Sequence, residues 1–130
     1  MIMGVGIDLA EIDKFEKMLG RQDDLLIERL LSDNEMAAFR ALQGDRRRAE
    51  WLAGRFAAKE ALMKALGLVL PEGIGMRDIE VLSDRLGRPV LALSAAVRRQ
   101  LGVSCDCHLS ITHTAATAGA VVVIEREGRA

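Results

Sequence analysis

The sequence predicts a mixed α+β domain: one long helix packed on an antiparallel sheet, with further short helices. Three observations carry this expectation. Apolar runs rich in Ile, Val and Leu stand near both ends, "MIMGVGIDL" and "TAGAVVVI". A long stretch of helix-forming residues, "WLAGRFAAKEALMKALG", fills the middle. The segments "MRDIEVLSD" and "RPVLALS" are separated only by a turn-like "RLG", as in a hairpin. Strands joined by short turns pair antiparallel, and a helix between them covers one face. The chain has 130 residues and no linker or low-complexity stretch, so a single domain over 1–130 is expected.

In chain order, "MIMGVGIDL" is short, apolar and bounded by polar residues, which reads as a strand. Acidic and apolar residues then alternate with helical spacing from Glu11 to Leu19 and again from Asp23 to Leu31. In "SDNEMAAFRAL", Ser32 and Glu35 have the spacing of a capping box and open another helix. The long helix is expected after Gly44 and the basic cluster Arg46, Arg47 and Arg48. Gly67 is its expected stop, with Pro71 shortly beyond. After the hairpin, "SAAVRRQLG" has a Ser start and a Gly stop, so it reads as a short helix. "CDCHLSITHT" and "AGAVVVIE" close the chain as two further strands.

Half of the residues are hydrophobic, 28% are charged and the net charge is −1. That composition suits a folded chain and provides no overall field for nucleic acid or anionic membrane. Aromatics make up only 3%, too few for base-stacking platforms. No run is long enough to span a bilayer, and the acidic residues near the start argue against a secretory leader. Cys105 and Cys107 lack further ligands at zinc-site spacing and read as core cysteines in a reducing cytoplasm.

The central helix poses the functional question. Arg55, Lys59, Glu60 and Lys64 interrupt an otherwise apolar stretch. At about 100° per residue, Leu52, Phe56, Met63 and Leu66 share a broad face that also contains Lys59, with Arg55 beside it. Ala57, Ala58, Ala61 and Ala65 leave another side smooth enough for close packing. A structural reading is available: Glu60 and Lys64 as an ordinary i,i+4 pair, Arg55 and Lys59 extending their heads past apolar neighbours. The N-terminal strand supplies a second reading. Asp8 ends it, while Gly4 and Gly6 permit close backbone approach without forming a dinucleotide fingerprint. Asp8 alone would serve as a helix cap. With Glu60 it makes the carboxylate pair that suits Mg²⁺ holding a diphosphate, and Arg55, Lys59 and Lys64 would face the remaining phosphate oxygens.

"GVGIDLAEIDKF" and "LAGRFAAKEALMKALG" resemble the paired motifs of the holo-acyl carrier protein synthases, the small single-domain phosphopantetheinyl transferases. "DIEVL", "LGRPVLALS" and "LSITHTAATAGAVVVIE" follow in the order that family uses, so the resemblance spans nearly the whole chain. It implies Mg²⁺-dependent transfer of phosphopantetheine from coenzyme A to a serine of apo-acyl carrier protein, with adenosine 3′,5′-bisphosphate released. It implies Asp8 and Glu60 as metal ligands and Lys64 on the phosphate under attack. It further implies Arg55, Lys59, Gly67, Pro89, Thr112 and His113 around coenzyme A, and Lys14 and Arg21 toward the acidic carrier protein. Either Glu60 or a metal-bound water that it orients would take the serine proton. Arg46, Arg47 and Arg48 would serve coenzyme A phosphates or form a solvated helix start. The family's S-H-T is "THT" here, Thr112 to Thr114. A homotrimer with shared active sites is also implied, Thr112 and His113 reaching a neighbour's site. The alternative is a non-catalytic module that binds a nucleotide or carrier protein on the same basic helix.

Overall fold

The structure, a computed structural model, describes residues 1–67, 73–102 and 104–127. Strand β1 (Ile2–Glu11) leads into helices α1 (Ile12–Gly20), α2 (Asp24–Leu30) and α3 (Asp33–Ala41), then the long α4 (Asp45–Leu66). A 3₁₀ turn at Met76–Asp78 precedes the hairpin β2 (Ile79–Ser83) and β3 (Pro89–Leu93). Helix α5 (Ala95–Leu101) and strands β4 (Cys105–His113) and β5 (Thr117–Arg126) complete the chain. The α+β class is as expected.

Local chemistry accounts for the boundaries. Ser32 Oγ accepts from Glu35 N while Glu35 Oε1 accepts from Ser32 N, the reciprocal capping box that starts α3. Gly67 stops α4 in the left-handed region at φ 69°, a conformation that costs glycine nothing. Pro71 lies outside the described residues. Two boundaries differ in particular: β1 runs on to Glu11, so Asp8 lies within the strand and does not cap α1, and α4 begins at Asp45, so the three arginines belong to its first turns. Arginine is a good helix former, and Asp45 suits the positive end of the helix dipole.

β5 is the middle strand of an antiparallel sheet ordered β1-β5-β4; β2 and β3 form a separate two-stranded sheet. The strands thus fall into two antiparallel sheets, with β3 lying against β4 outside its ladder. Helix α4 crosses β1 and β5 with its small side inward: Ala57, Ala58 and Ala61 are fully buried. Facing them, Ala118, Ala120, Val122 and Ile124 alternate inward along β5. On β1, only glycine permits this approach. A Cβ at Gly4 would lie 2.0 Å from the Ala65 carbonyl oxygen, and one at Gly6 would lie 1.8 Å from that of Ala61. Backbone thus meets backbone, which brings Asp8 to α4. The opposite sheet face is apolar and exposed, with Val5, Ile7 and Leu9 at 59%, 65% and 68%.

Candidate active site

Asp8 lies on the inward face of β1, in line with Gly4 and Gly6, and reaches α4 at its second-last turn. Lys64 Nζ donates to Asp8 Oδ1 at 2.9 Å and to the Ile7 carbonyl at 3.1 Å. So Lys64 pairs with the strand rather than with Glu60, contrary to the structural reading of an i,i+4 pair. Partial burial first, then the Asp8 carboxylate, raise the Glu60 carboxyl above its ordinary range, while Lys64 opposes the shift. Two carboxylates side by side, with an ammonium seated on Asp8, form a pocket of negative charge suited to a cation. Two hard oxygen donors fit Mg²⁺, which takes one or two protein carboxylates and completes its octahedron from water and phosphate. Among the described residues no cluster of three or more His, Cys, Asp or Glu is placed to hold a metal ion.

Arg55 and Lys59 lie elsewhere, under α3 and the hairpin. The Arg55 guanidinium stacks 4.4 Å from the Trp51 ring centroid, and its buried Nε has no hydrogen-bond partner. Burial foremost, with Arg47 adding to it, lowers its pKa to about 10, so it remains a cation at neutral pH. Lys59 departs from the expectation of facing coenzyme A. It is fully buried, and its ammonium donates to Glu35 Oε1 (2.6 Å), the Met76 carbonyl (3.0 Å) and the Leu30 carbonyl. A charge excluded from solvent takes the nearest anion, and that is Glu35. Sequence reasoning recognised Glu35 only as a cap. The signal was Lys59 itself: an ammonium in an apolar arc requires a buried carboxylate partner.

Helix α1 carries Lys14, exposed, and its C-cap is Arg21, also exposed. Lys14 stands on the rim of a groove of about 430 Å³, walled chiefly by Phe15, Met18, Leu30, Phe56 and Met76. Arg46 binds Asp13 (3.0 Å), Glu16 (2.8 Å) and the Ala115 carbonyl, tying α1 to α4 and to the β4–β5 turn. Arg48 donates to the Leu42 and Arg40 carbonyls and lies over Phe39. Two of the three arginines therefore hold the fold, and Arg47 stays exposed. Thr112 points to the outer sheet face, across Gly119 from Leu9 and opposite to Asp8. His113 ends β4, exposed, its Nδ1 3.1 Å from the Thr114 carbonyl oxygen. Pro89 opens β3 beside a cavity of about 420 Å³, whose walls include Arg88, Cys107 and His108 but not Asp8, Glu60 or Lys64. One chain thus gathers Asp8, Glu60 and Lys64, and does not gather Thr112 or Pro89 with them.

Residues 4–118 match the profile of the 4′-phosphopantetheinyl transferase superfamily. Curated relatives named holo-[acyl-carrier-protein] synthase include that of Bacillus velezensis, 45% identical over 99% of this chain and 100% of its own. That of Vibrio parahaemolyticus is 42% identical over 95% and 98%. The crystal structure of a holo-(acyl-carrier-protein) synthase from Bacillus anthracis in complex with CoA (3′,5′-ADP) superposes with a TM-score of 0.81. It is 40% identical and covers 98% of this chain and 99% of its own. Profile, full-length relatives and fold agree, and the chain belongs to the holo-acyl-carrier-protein synthase family of the 4′-phosphopantetheinyl transferase superfamily.

Proposed function

We propose that this chain, as one domain over residues 1–130, transfers 4′-phosphopantetheine from coenzyme A to a serine of apo-acyl carrier protein. The observation that carries the reading is the Asp8–Lys64–Glu60 cluster where β1 meets α4, within a full-length match to this family. The serine Oγ attacks the pantetheine-bearing phosphorus of the diphosphate. The bond from that phosphorus to the bridging oxygen breaks, and adenosine 3′,5′-bisphosphate leaves.

Asp8 and Glu60 would hold Mg²⁺, which when bound neutralises charge on the diphosphate. Lys64, with 56% of its side chain exposed, is free to swing from Asp8 to an equatorial phosphate oxygen. Glu60, with its carboxyl raised, is the group suited to accept the serine proton. Arg55, stacked and short of a partner, supplies a preset cation for another coenzyme A phosphate. Gly67, Pro89, Thr112 and His113 belong to the same proposed pocket.

Lys14 and Arg21 would meet the acidic carrier protein. Arg46 neutralises Asp13 and Glu16 beside them, so the local field on α1 favours an acidic partner. A homotrimer with shared sites belongs to the same reading. Thr112 faces away from Asp8 in one chain, and the exposed Val5, Ile7 and Leu9 offer an apolar surface for a second copy. A cytoplasmic setting, with carrier protein serving fatty acid biosynthesis, fits the two free cysteines.

The test mixes the protein with coenzyme A, Mg²⁺ and apo-carrier protein and reads the carrier's intact mass. A gain of one phosphopantetheine is expected, and Glu60→Gln should lower the rate by at least ~10²-fold. Binding of carrier protein with no gain in mass would instead establish a non-catalytic module.

A further inference from the structure

The Lys59–Glu35 pair is the one fully buried charge pair among the described residues. It joins five segments. Lys59, midway along α4, donates to the Leu30 carbonyl at the end of α2 and to the Met76 carbonyl at the 3₁₀ turn. Glu35 Oε1 accepts from Lys59 and from Ser32 N at the head of α3, and Glu35 Oε2 accepts from Val81 N of β2 at 3.0 Å. All three ammonium protons are committed, and both carboxylate oxygens are engaged. No donor remains for a ligand, and no solvent path reaches Nζ.

The two backbone carbonyls that Lys59 grips belong to residues with a second role. Leu30 and Met76 wall the apolar groove whose other wall includes Phe56, one helical turn before Glu60, and Ala10, two residues after Asp8 on the same strand face. Lys14 and Arg29 stand on its rim. Lys59 therefore fixes the spacing between the groove's far wall and the α4 face that carries Glu60. On the reading given above, that groove lies on the carrier-protein side of the reaction.

We propose that Lys59 is a positioning residue for the acceptor substrate: through Leu30 and Met76 it sets the groove beside Glu60, and it makes no contact with coenzyme A. The inference rests on the proposed transfer, but its two tests separate from that reading. The first uses the intact wild-type protein and an amine-reactive ester, with and without coenzyme A. Lys59 should remain unlabelled in both samples, whereas Lys64 should be labelled and then protected by coenzyme A. Labelling of Lys59 that coenzyme A suppresses would overturn the proposal, whether or not any variant folds.

The second compares wild type with Lys59→Met and with Lys59→Met/Glu35→Gln. In the double variant no unpaired charge stays buried, while the amide keeps one acceptor for the Ser32 or Val81 N–H and the Leu30 and Met76 carbonyls lose the ammonium. The expected result for the double variant is coenzyme A affinity within about twofold of wild type, with KM for apo-carrier protein raised about tenfold and kcat less affected. A tenfold loss of coenzyme A affinity at unchanged carrier KM would make Lys59 a ligand contact instead. Unchanged constants throughout would leave it a purely structural pair, which also refutes the proposal. If wild type itself fails to modify carrier protein, the transfer reading falls, and the labelling result still decides whether Lys59 meets coenzyme A.

Discussion

Replacing Gly6 by alanine tests the geometry on which the site depends. The added Cβ would sit 1.8 Å from the Ala61 carbonyl oxygen and 2.7 Å from Ala65 N, and both are backbone atoms of a buried helix. No side-chain rotation relieves the clash. To regain ordinary contact at 3.4 Å, β1 and α4 must separate by about 1.6 Å, an overpacking strain at the upper end of the usual range, about 3 kcal/mol. For a chain of this size that corresponds to a Tm loss of roughly 10 °C. Asp8 follows Gly6 on the same strand face, so it moves with β1 away from Lys64 and Glu60. Misplacement on the ångström scale costs about 10²-fold in rate. Differential scanning calorimetry and the carrier-mass assay measure the two effects on one preparation. Gly20→Ala is the control, since a Cβ there meets nothing within 4 Å, and it should leave both values unchanged. Should Gly6→Ala keep a Tm within about 2 °C of wild type and full transfer, the close approach would have no part in building the site.

Three further outcomes follow from the same structure. Asp8→Asn removes the partner of a half-exposed lysine, so stability should change by less than ~1 kcal/mol. Mg²⁺ affinity by calorimetry should nonetheless fall at least about tenfold, and retained affinity would free Asp8 of a ligand role. The Glu60 carboxyl should titrate above the ordinary glutamate range by carbon NMR, and Lys64→Met should move it higher still, because Lys64 lowers it in the wild type. The native state then binds that proton more tightly than the unfolded chain. This group's contribution to stability is therefore lost as pH rises from the unfolded to the raised folded value, and a downward move in Lys64→Met would contradict the assignment. Ile7→Lys places a charge on the exposed outer face; wild type should have the mass of the proposed trimer by light scattering and the variant that of a monomer, whereas a monomeric wild type or an unchanged variant would refute an interface on this face.

Much of the fold was legible because its signals are local. Ser32 and Glu35 are three residues apart and Gly67 directly follows the helix it ends, so composition at short range specifies both. The paired strands showed for the same reason: few residues separate β2 from β3 and β4 from β5. In the candidate site, each of Asp8 and Glu60 had an ordinary use by itself, a cap and an i,i+4 partner, and only the motif resemblance joined them; the structure brings both to Lys64. The pairing of Lys59 with Glu35 was not legible because that partner is 24 residues away and depends on which face of α4 receives α3. Helical periodicity fixes an angle on α4 and says nothing about what covers it. The start of α4 was misjudged on similar grounds. Arg46 and Arg48 look like solvated residues until α1, the β4–β5 turn and Phe39 are packed around them.

The Lys59–Glu35 pair also constrains how this sequence can drift. Losing either half alone strands an opposite charge in the interior, which costs about 3–5 kcal/mol, a large share of the stability of a domain this size. Losing both together strands no charge, and leaves only the Ser32 and Val81 N–H groups and the Leu30 and Met76 carbonyls to be satisfied anew. The two positions are therefore joined by a fitness valley: neither admits a one-step change, and any route to an uncharged interior must cross it by a paired replacement.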